Sequence, residues 1–508
     1  MALGYSMSTM TNLHSPEAYP ENAMEKLISL AKRRGFVYQG SEIYGGLAGT
    51  WDYGPLGVAL KNNIQNMWWK RFVLDREDMY GVDAAILMNQ EVWKASGHVG
   101  GFADPLVDDL KTKKRYRADH LLEEYAEKNP AAGVNPKGLT IAEMDALIKE
   151  KGIKSPEGNP LGDVRQFNMM FKTNVGAMQD DSSVSYLRPE TAQGIFVNFK
   201  NVVDSFHPKM PFGIAQIGKA FRNEIAPRDF IFRVRELEQM EIEYFVRPPQ
   251  DDSDQSWKEI FDALYKEQLA FLEELGLRTE RVHKVDVPAA DRAHYSKHSV
   301  DTEFDFPFGQ KELLGLAYRT DYDLDAHTNA SKVDLSYFDE SETDVTKKRY
   351  IPHCIEPTFG VGRLFLAVFS DAYAEDNLGG EPRAYLKFSP KIAPVLVAVS
   401  PLLKNKPQLV EKSREIYSTL RKAFPGRVMF DDNGNIGKRY RRQDEIGTPF
   451  CVVVDFDTVE EADEAGKPKV DAAGVPTHDT VTIRMRDTGE QKRVKIGDLA
   501  SLISELSR

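Results

Sequence analysis

GIAQIGKAFRNEIAPRDFIFRVRELEQMEIEYFV, running from Gly213 to Val246, sets the architecture of the chain. It reads as two strands joined by a polar turn. In the first run Gln216, Arg222 and Glu224 share one face under period-two alternation, and Ala215, Ile217 and Phe221 share the other. Pro227 places Asn223 to Asp229 in a loop between strands. In the second run Met240, Ile242, Tyr244 and Val246 alternate with Gln239, Glu241 and Glu243. A single surface hairpin with a wet face gives the same alternation. Here the polar face carries arginine and carboxylates with few Lys, Ser or Thr, and the flanking segments are apolar. That combination suits the floor of a site for a ligand bearing both charges.

The 508 residues allow two or three domains with sizeable cores. Hydrophobic content of 41% and charged content of 28% are ordinary for a globular chain. No apolar run is long enough for a bilayer, so no membrane association is expected. Residues 1–22 are polar, contain Pro16 and Pro20, and are expected to form a loose tail without a signal-peptide core. Cys354 and Cys451 lie far apart, which supports neither a disulfide framework nor a zinc ribbon and fits a reducing cytoplasm. The net charge of −12 argues against non-specific coating of nucleic acid. Two local basic patches, Thr112 to Arg117 and Lys438 to Arg442, leave room for one specific nucleic-acid partner.

In chain order, Ala23 to Arg34 is an amphipathic helix stopped by Gly35. The turn-rich SEIYGGLAGTWDYGPLG (Ser41 to Gly57) leads through Pro55 into a helix at Val58 to Val73, whose Trp68 and Trp69 read as packing residues. Gly81 to Met88 reads as a strand. His98 sits in a Gly-rich loop and is taken as structural. Leu121 to Gly162 reads as a helical insertion of about 40 residues. In LRPETAQGIFVNFK, Pro189 marks a helix start with Glu190 in its first turn. Ser256 to Leu275 is a helix, Asp301 to Phe308 and Lys311 to Thr320 pair as strands, and Tyr350 to Ile355 is another strand. It runs into Glu356-Pro357-Thr358-Phe359-Gly360-Val361-Gly362-Arg363 and a helix from Leu364, a Gly-rich turn suited to an anion. Gly379 to Pro390 is the expected domain boundary. Beyond it, strands at Val395 to Val399, Val428 to Phe430 and Phe450 to Val454 alternate with helices at Gln408 to Phe424 and Ile436 to Glu445. This predicts a compact α/β domain of about 120 residues with a parallel-leaning sheet.

From about Met24 onward the chain closely resembles class II glycyl-tRNA synthetases of the homodimeric type. SEIYGGLAGTWDYGPLG with its helix resembles the family's first motif, a dimer interface. GKAFRNE through RVRELEQMEIEYF resembles the second motif, and EPTFGVGR with its helix the third. LRPETAQGIFVNFK and GNIGKRYRRQDEIGTPF are further segments of this type. The implied fold is α/β overall. An α+β catalytic domain (residues 23–385, insertion at 121–162) is built on an antiparallel sheet flanked by helices. An anticodon-binding α/β domain follows at residues 386–508.

The resemblance implies activation of glycine by ATP to glycyl-adenylate, then transfer to the 3′ end of tRNA-Gly by a cytoplasmic homodimer. An in-line attack of this kind gathers negative charge on phosphate oxygens, so fixed cations dominate. Carried over by motif, Arg222, Glu224 and Arg363 are the catalytic residues, with Arg222 on the α-phosphate and Arg363 on the γ-phosphate. Glu312 carries Mg²⁺ with the phosphates, beside Leu313. Glu224 and the segment Phe232, Arg233, Val234, Arg235, Glu236, Leu237 belong to the adenine side, and Asn223, Gly360, Val361 and Gly362 complete the ATP site. Glycine is expected among Arg117, Glu190, Leu237, Glu238, Gln239, Met240, Glu241, Glu356, Pro357, Thr358, Phe359 and Gly360, with Glu190, Glu241 and Glu356 around the ammonium. Every competing amino acid is larger, and one extra methyl in a filled pocket costs about 1–3 kcal/mol.

The chain departs from the family at Leu237, where Phe is usual, and at Thr358, where Ser is usual. Some bacterial relatives have a Cys pair where this chain has Ser155-Pro156-Glu157-Gly158, so no zinc is expected there. Two rivals are a catalytically inactive synthetase-like accessory protein that binds nucleic acid and a class II synthetase for another small amino acid. Retention of Arg222, Glu224, Glu312, Glu356 and Arg363 opposes the first, and LEQMEIEYF with EPTFG opposes the second.

Overall fold

The computed structural model describes residues 18–508 except 137, 178–179, 181–182, 252, 463–466 and 472–473. The expected tail at 1–22 therefore lies almost wholly outside the described residues. Helix α1, Ala23–Arg34, ends at Gly35, which takes the left-handed conformation (φ 76°) that glycine adopts without a Cβ clash. Helix α2, Pro55–Trp69, opens on its proline and continues as a π-helical turn to Leu74. Gly57 lets it press against the chain before it, because a Cβ there would lie 1.9 Å from the Phe36 carbonyl oxygen. Trp68 is fully buried against Phe72 and Phe359, as a packing residue should be. The strand expected at Gly81 to Met88 is instead the short β1, Met79–Gly81. Beyond it only an isolated bridge at Leu87 remains.

The expected insertion is the helical part of a larger module. Strand β2, Ala103–Asp108, lies between β3, Arg115–Arg117, and β4, Arg165–Asn168. Helices α3, Ala118–Lys128, and α4, Ile141–Glu150, bury Leu121, Leu122, Met144 and Ile148 against Val107 and Val164 as a separate small core.

Helix α5 spans Ala192–Phe196. It starts later than expected, so Glu190 precedes the helix rather than lying in its first turn. The central hairpin is β5, Phe212–Phe221, and β6, Glu236–Val246. Arg222 and Glu224 fall just beyond β5, with the Arg222 amide donating to the Arg235 carbonyl at 2.9 Å. Helix α6, Ser256–Glu274, precedes β7, Val282–Asp286, β8, His298–Phe306, and β9, Gly309–Thr320. Helix α7 is Tyr322–Ser331. The strand expected at Tyr350 to Ile355 is broken at Ile351 and Pro352, and β10 runs His353–Gly360. It passes directly into α8, Val361–Asp371, so EPTFG is strand and no turn separates it from the helix.

These strands form one seven-stranded sheet in the order β7-β8-β9-β10-β6-β5-β1. Every pairing is antiparallel except β1 with β5. Alternation divides the two faces as read. Met240, Ile242, Tyr244 and Val246 enter the main core beneath α2, α6 and α8, while Gln239, Glu241 and Glu243 face the other way and are buried as well. A polar sheet face this deeply buried is no wet ribbon.

The hairpin β11, Tyr373–Leu378, and β12, Glu381–Leu386, leads toward the second core. Val395 still packs in the first core, and Leu396 begins the second. There β13, Val397–Pro401, α9, Pro407–Ala423, β14, Val428–Phe430, α10, Ile436–Glu445, and β15, Phe450–Val454, follow in turn. Strands β16, Thr480–Met485, and β17, Gln491–Lys495, and helix α11, Leu499–Leu506, complete the domain. The sheet order is β14-β13-β15-β16-β17, parallel in its first three strands and antiparallel in its last two.

Candidate active site

The buried polar face of the large sheet opens into a cavity of about 340 Å³. Its walls include Arg222, Glu224, Phe232, Arg233, Val234 and Glu236 from the hairpin connection, together with Leu237, Glu238 and Gln239 from β6. Glu312 and Leu313 come from β9, Thr358 and Gly360 from β10, Gly362 and Arg363 from α8, and Arg117 from the small module.

Arg222, Arg363 and Arg117 are among the cationic residues that line this space. The Arg222 guanidinium is steadied by a bond from Nε to the Pro189 carbonyl at 3.1 Å and lies 5.6 Å from the Phe102 ring. Arg363 pairs with Glu312 at 3.0 Å and lies over the Phe232 ring at 4.6 Å. The Arg363 charge holds the Glu312 carboxyl below its ordinary range. Arg117 is gripped by Asp104 at 2.7 Å and Asp119 at 2.5 Å.

Other candidates are braced rather than presented. Arg235 donates to the carbonyls of Ala48 at 2.8 Å and Glu224 at 3.0 Å, and its amide bonds to Gly49. It therefore shapes the loop over the site. Asn223 is anchored through its amide to the Met169 carbonyl at 2.7 Å. Glu238 pairs with Lys61 at 2.7 Å. Met240, Phe359 and Val361 are fully buried in the core, so their side chains point away from the cavity. The residues flanking Leu237 are Glu236, paired with Lys219, and Glu238; the aromatic residues lining the cavity are Trp51, Tyr53 and Phe232.

Deeper than the cavity wall lie the carboxylates of Glu190, Glu241 and Glu356, each with a dedicated holder. Glu190 accepts from Gln193 at 3.1 Å and meets the His98 ring at 3.3 Å. Glu241 accepts from Thr358 at 3.2 Å through one oxygen and from Thr191 through the other. Glu356 accepts from Arg319 at 2.9 Å. A fourth carboxylate, Glu243, lies beneath and accepts from the Cys354 thiol at 2.8 Å.

Their charges separate accordingly. Burial opposes ionisation of Glu190, but the His98 ring, followed by Arg319 and Gln193, holds it below its usual range. Burial raises Glu241, with Glu190 adding to the rise. Burial pushes Glu356 up to about 8, Arg319 opposing and Glu241 and Glu190 adding. Burial also raises Glu243 well above its ordinary range, with the Glu356 charge adding. So much buried carboxylate around one guanidinium leaves the pocket short of a cation.

A model of the tRNA synthetase class II core domain (G, H, P, S and T) matches residues 171–372, and one of the anticodon binding domain matches residues 396–506. The glycine–tRNA ligase of Deinococcus radiodurans is 47% identical over 517 residues, covering 95% of this chain and 99% of that protein. The glycine–tRNA ligase of Clostridium acetobutylicum is 49% identical over 489 residues, covering 96% and 99%. This chain belongs to the glycine–tRNA ligase family. A third member, from Acetivibrio thermocellus, is 48% identical over 486 residues and covers 95% and 98%.

In this glycine–tRNA ligase chain the sequence reading missed the holders of the carboxylates. Thr191 and Gln193 lie inside a quoted motif, but their roles depend on partners on β6 and α7. Arg319 and Asp323 stand four apart, a spacing that signals an ion pair in any chain and therefore carries little specificity. His98, read as structural, bonds Ser96 at 2.8 Å through Nδ1 and turns its other nitrogen to Glu190. The turn at Ser155 to Gly158 is fastened by Asp109, which accepts from Ser155 at 2.6 Å and Asn159 at 3.0 Å.

Proposed function

We propose that the chain activates glycine with ATP to glycyl-adenylate and transfers the glycyl group to the 3′ end of tRNA-Gly. The observation that carries this reading is the cluster of Glu190, Glu241 and Glu356, joined through the Thr358 hydroxyl on Glu241 to a cavity walled by Thr358, Arg222 and Arg363. A small ammonium belongs in the recess and phosphates belong in the cavity.

In this reading Arg222 binds the α-phosphate, where negative charge grows as the glycine carboxylate attacks, and Arg363 binds the γ-phosphate. Each acts as a fixed cation in a partly dry site, so its worth exceeds that in water. Glu224 and the Phe232 to Leu237 segment take the adenine, with the Phe232 ring as the flat apolar surface. Gln239 and the three glutamates orient the ammonium. Exclusion by size supplies selectivity, since every competitor is larger and one extra methyl in a filled pocket costs about 1–3 kcal/mol. Mg²⁺ fits beside Glu312, a hard oxygen donor half-exposed on the cavity wall, because this ion is usually held by one or two carboxylates together with phosphates. When bound it would neutralise phosphate charge. Zinc has no part in the reading.

The C-terminal domain is assigned to the anticodon; of the basic residues of α10, Lys438 is exposed, whereas Arg439 is buried and Arg442 is paired with Asp431 at 2.5 Å. The chain is assigned as a cytoplasmic homodimer. Ile43 and Tyr44, nearly nine-tenths exposed at 88% and 87%, support a protein partner at the first-motif segment, and two buried cysteines outside any disulfide suit a reducing compartment. No helix among the described residues is long and apolar enough to cross a membrane.

The test is ATP–pyrophosphate exchange with each proteinogenic amino acid in turn. Exchange driven by glycine alone is expected. Exchange driven equally by serine or alanine would sink the specificity, and none at all would favour a binding module.

A further inference from the structure

Glu190 and Glu356 approach the amino-acid recess from segments 166 residues apart, yet one buried side chain stands behind both. Asp323, in the first turn of α7, accepts from Gln193 Nε2 at 2.8 Å through Oδ1. The same Oδ1 accepts from Arg319 Nη2 at 2.8 Å, and Oδ2 accepts from Arg319 Nε at 2.8 Å. Gln193 passes its other amide proton to Glu190, and Arg319 passes Nη1 to Glu356. The Gln193 carbonyl is in turn fixed by the His327 ring at 2.8 Å. Arg319 is further confined by stacking on Tyr295 at 3.8 Å, with Phe196 at 5.4 Å. Asp323, Gln193 and Arg319 are each 2% exposed or less, so no water competes for these bonds.

We propose that Asp323 is a positioning residue for the amino-acid recess, setting Glu190 through Gln193 and Glu356 through Arg319 so that both face one ammonium. The proposal rests on the assignment of the recess to glycine. Its geometry makes two demands. Asp323 fixes which donors of Arg319 remain for Glu356, because a carboxylate that takes Nε and Nη2 leaves Nη1 alone to reach across. It also orients the Gln193 amide, because the amino group must point between Asp323 and Glu190 while the oxygen faces His327. Loss of the Asp323 charge would free Arg319 to take Glu356 bidentately and turn it from the recess.

The test uses the full-length Asp323→Asn chain in glycine-dependent ATP–pyrophosphate exchange. Two adenylate mimics are also titrated, glycylsulfamoyl-adenosine and the acetyl analogue that lacks the ammonium. The glycine KM is expected to rise by roughly tenfold or more, the loss of a charge-assisted bond, while the KM for ATP stays unchanged. The glycyl mimic should weaken by the same factor and the acetyl mimic should not. Equal weakening of both mimics, or an unchanged glycine KM, overturns the proposal. Should Asp323→Asn fail to fold, Gln193→Met cuts the Glu190 branch alone and must show the same split between mimics, or the proposal falls. A wild-type chain without glycine-dependent exchange overturns the underlying assignment as well, whereas active wild type with unaffected variants overturns the role of Asp323 only.

Discussion

Thr358 stands directly opposite Glu241 across β10 and β6 and donates its hydroxyl to that carboxylate at 3.2 Å. Thr191 holds the other oxygen, so Glu241 is fixed between two threonines and cannot swing to meet a displaced ligand. The threonine that departs from the family's usual serine keeps the bond and adds a methyl next to it.

Thr358→Val retains the methyl and removes the donor. It is expected to raise the glycine KM by about tenfold, the worth of a hydrogen bond to a charged group, with little change in the KM for ATP. Thr358→Ser retains the donor and removes the methyl. It should leave glycine binding intact and relax discrimination against alanine by about 1–3 kcal/mol, read as the ratio of exchange kcat/KM values. An unaltered ratio in the serine variant would show that the methyl takes no part in exclusion.

Arg222→Ala is expected to lower exchange by about 10²–10³-fold while leaving the fold intact. The anchoring of this position is backbone, through the amide bond to Arg235, and survives the substitution. Near-normal turnover in a variant with unchanged circular dichroism would refute the role assigned to the guanidinium.

Glu356 predicts the pH dependence. Burial pushes it up to about 8, with Arg319 opposing and Glu241 and Glu190 adding. Below that pH a proton competes with the ammonium, so the apparent glycine KM should fall as pH rises toward 8. Stability runs the other way. Between 4.5 and about 8 the native state keeps a proton that the unfolded chain releases, so this group's contribution to stability declines as pH rises through that window. Glu356→Gln should flatten this part of the profile in urea unfolding. A wild-type glycine KM that is flat over the same range would contradict the assignment.

Asp444 tests the packing of the second domain. It is almost fully buried and accepts two bonds from Arg484, at 2.8 and 2.9 Å, and one from Arg383 at 3.1 Å. Arg383 keeps Asp376 as a partner, but Asp444→Ala leaves Arg484 without its carboxylate. The substitution should cost about 3–5 kcal/mol, seen as a lower urea midpoint for the C-terminal transition. Arg33→Ala, whose partner Glu445 sits at the surface of the same helix, should cost less than about 1 kcal/mol. Similar losses in the two variants would mean that burial does not separate them.

Much of this arrangement is written locally. Ala23–Arg34 with Gly35, Val428–Phe430, Ile436–Glu445 and Phe450–Val454 have the limits their periodicity and end signals predict. Errors fell where local signals compete with packing. Pro189 marks a helix start by rule, yet the helix begins only at Ala192 and Glu190 precedes it. The glycines of EPTFGVGR suggest a turn, yet pairing with β6 and β9 keeps Glu356 to Gly360 in a strand.

By itself the sequence determined which residues share a face, because side chains alternate with period two in a strand whatever surrounds it. Its motifs determined the family and the likeness of Arg222, Glu312 and Arg363 to phosphate-site residues. Only the tertiary structure decided that β10 lies between β9 and β6, out of chain order, and so brings Thr358 against Glu241 and Glu356 within reach of Arg319. Strand neighbours and register are set by burial summed over the whole sheet, and no local pattern records that sum.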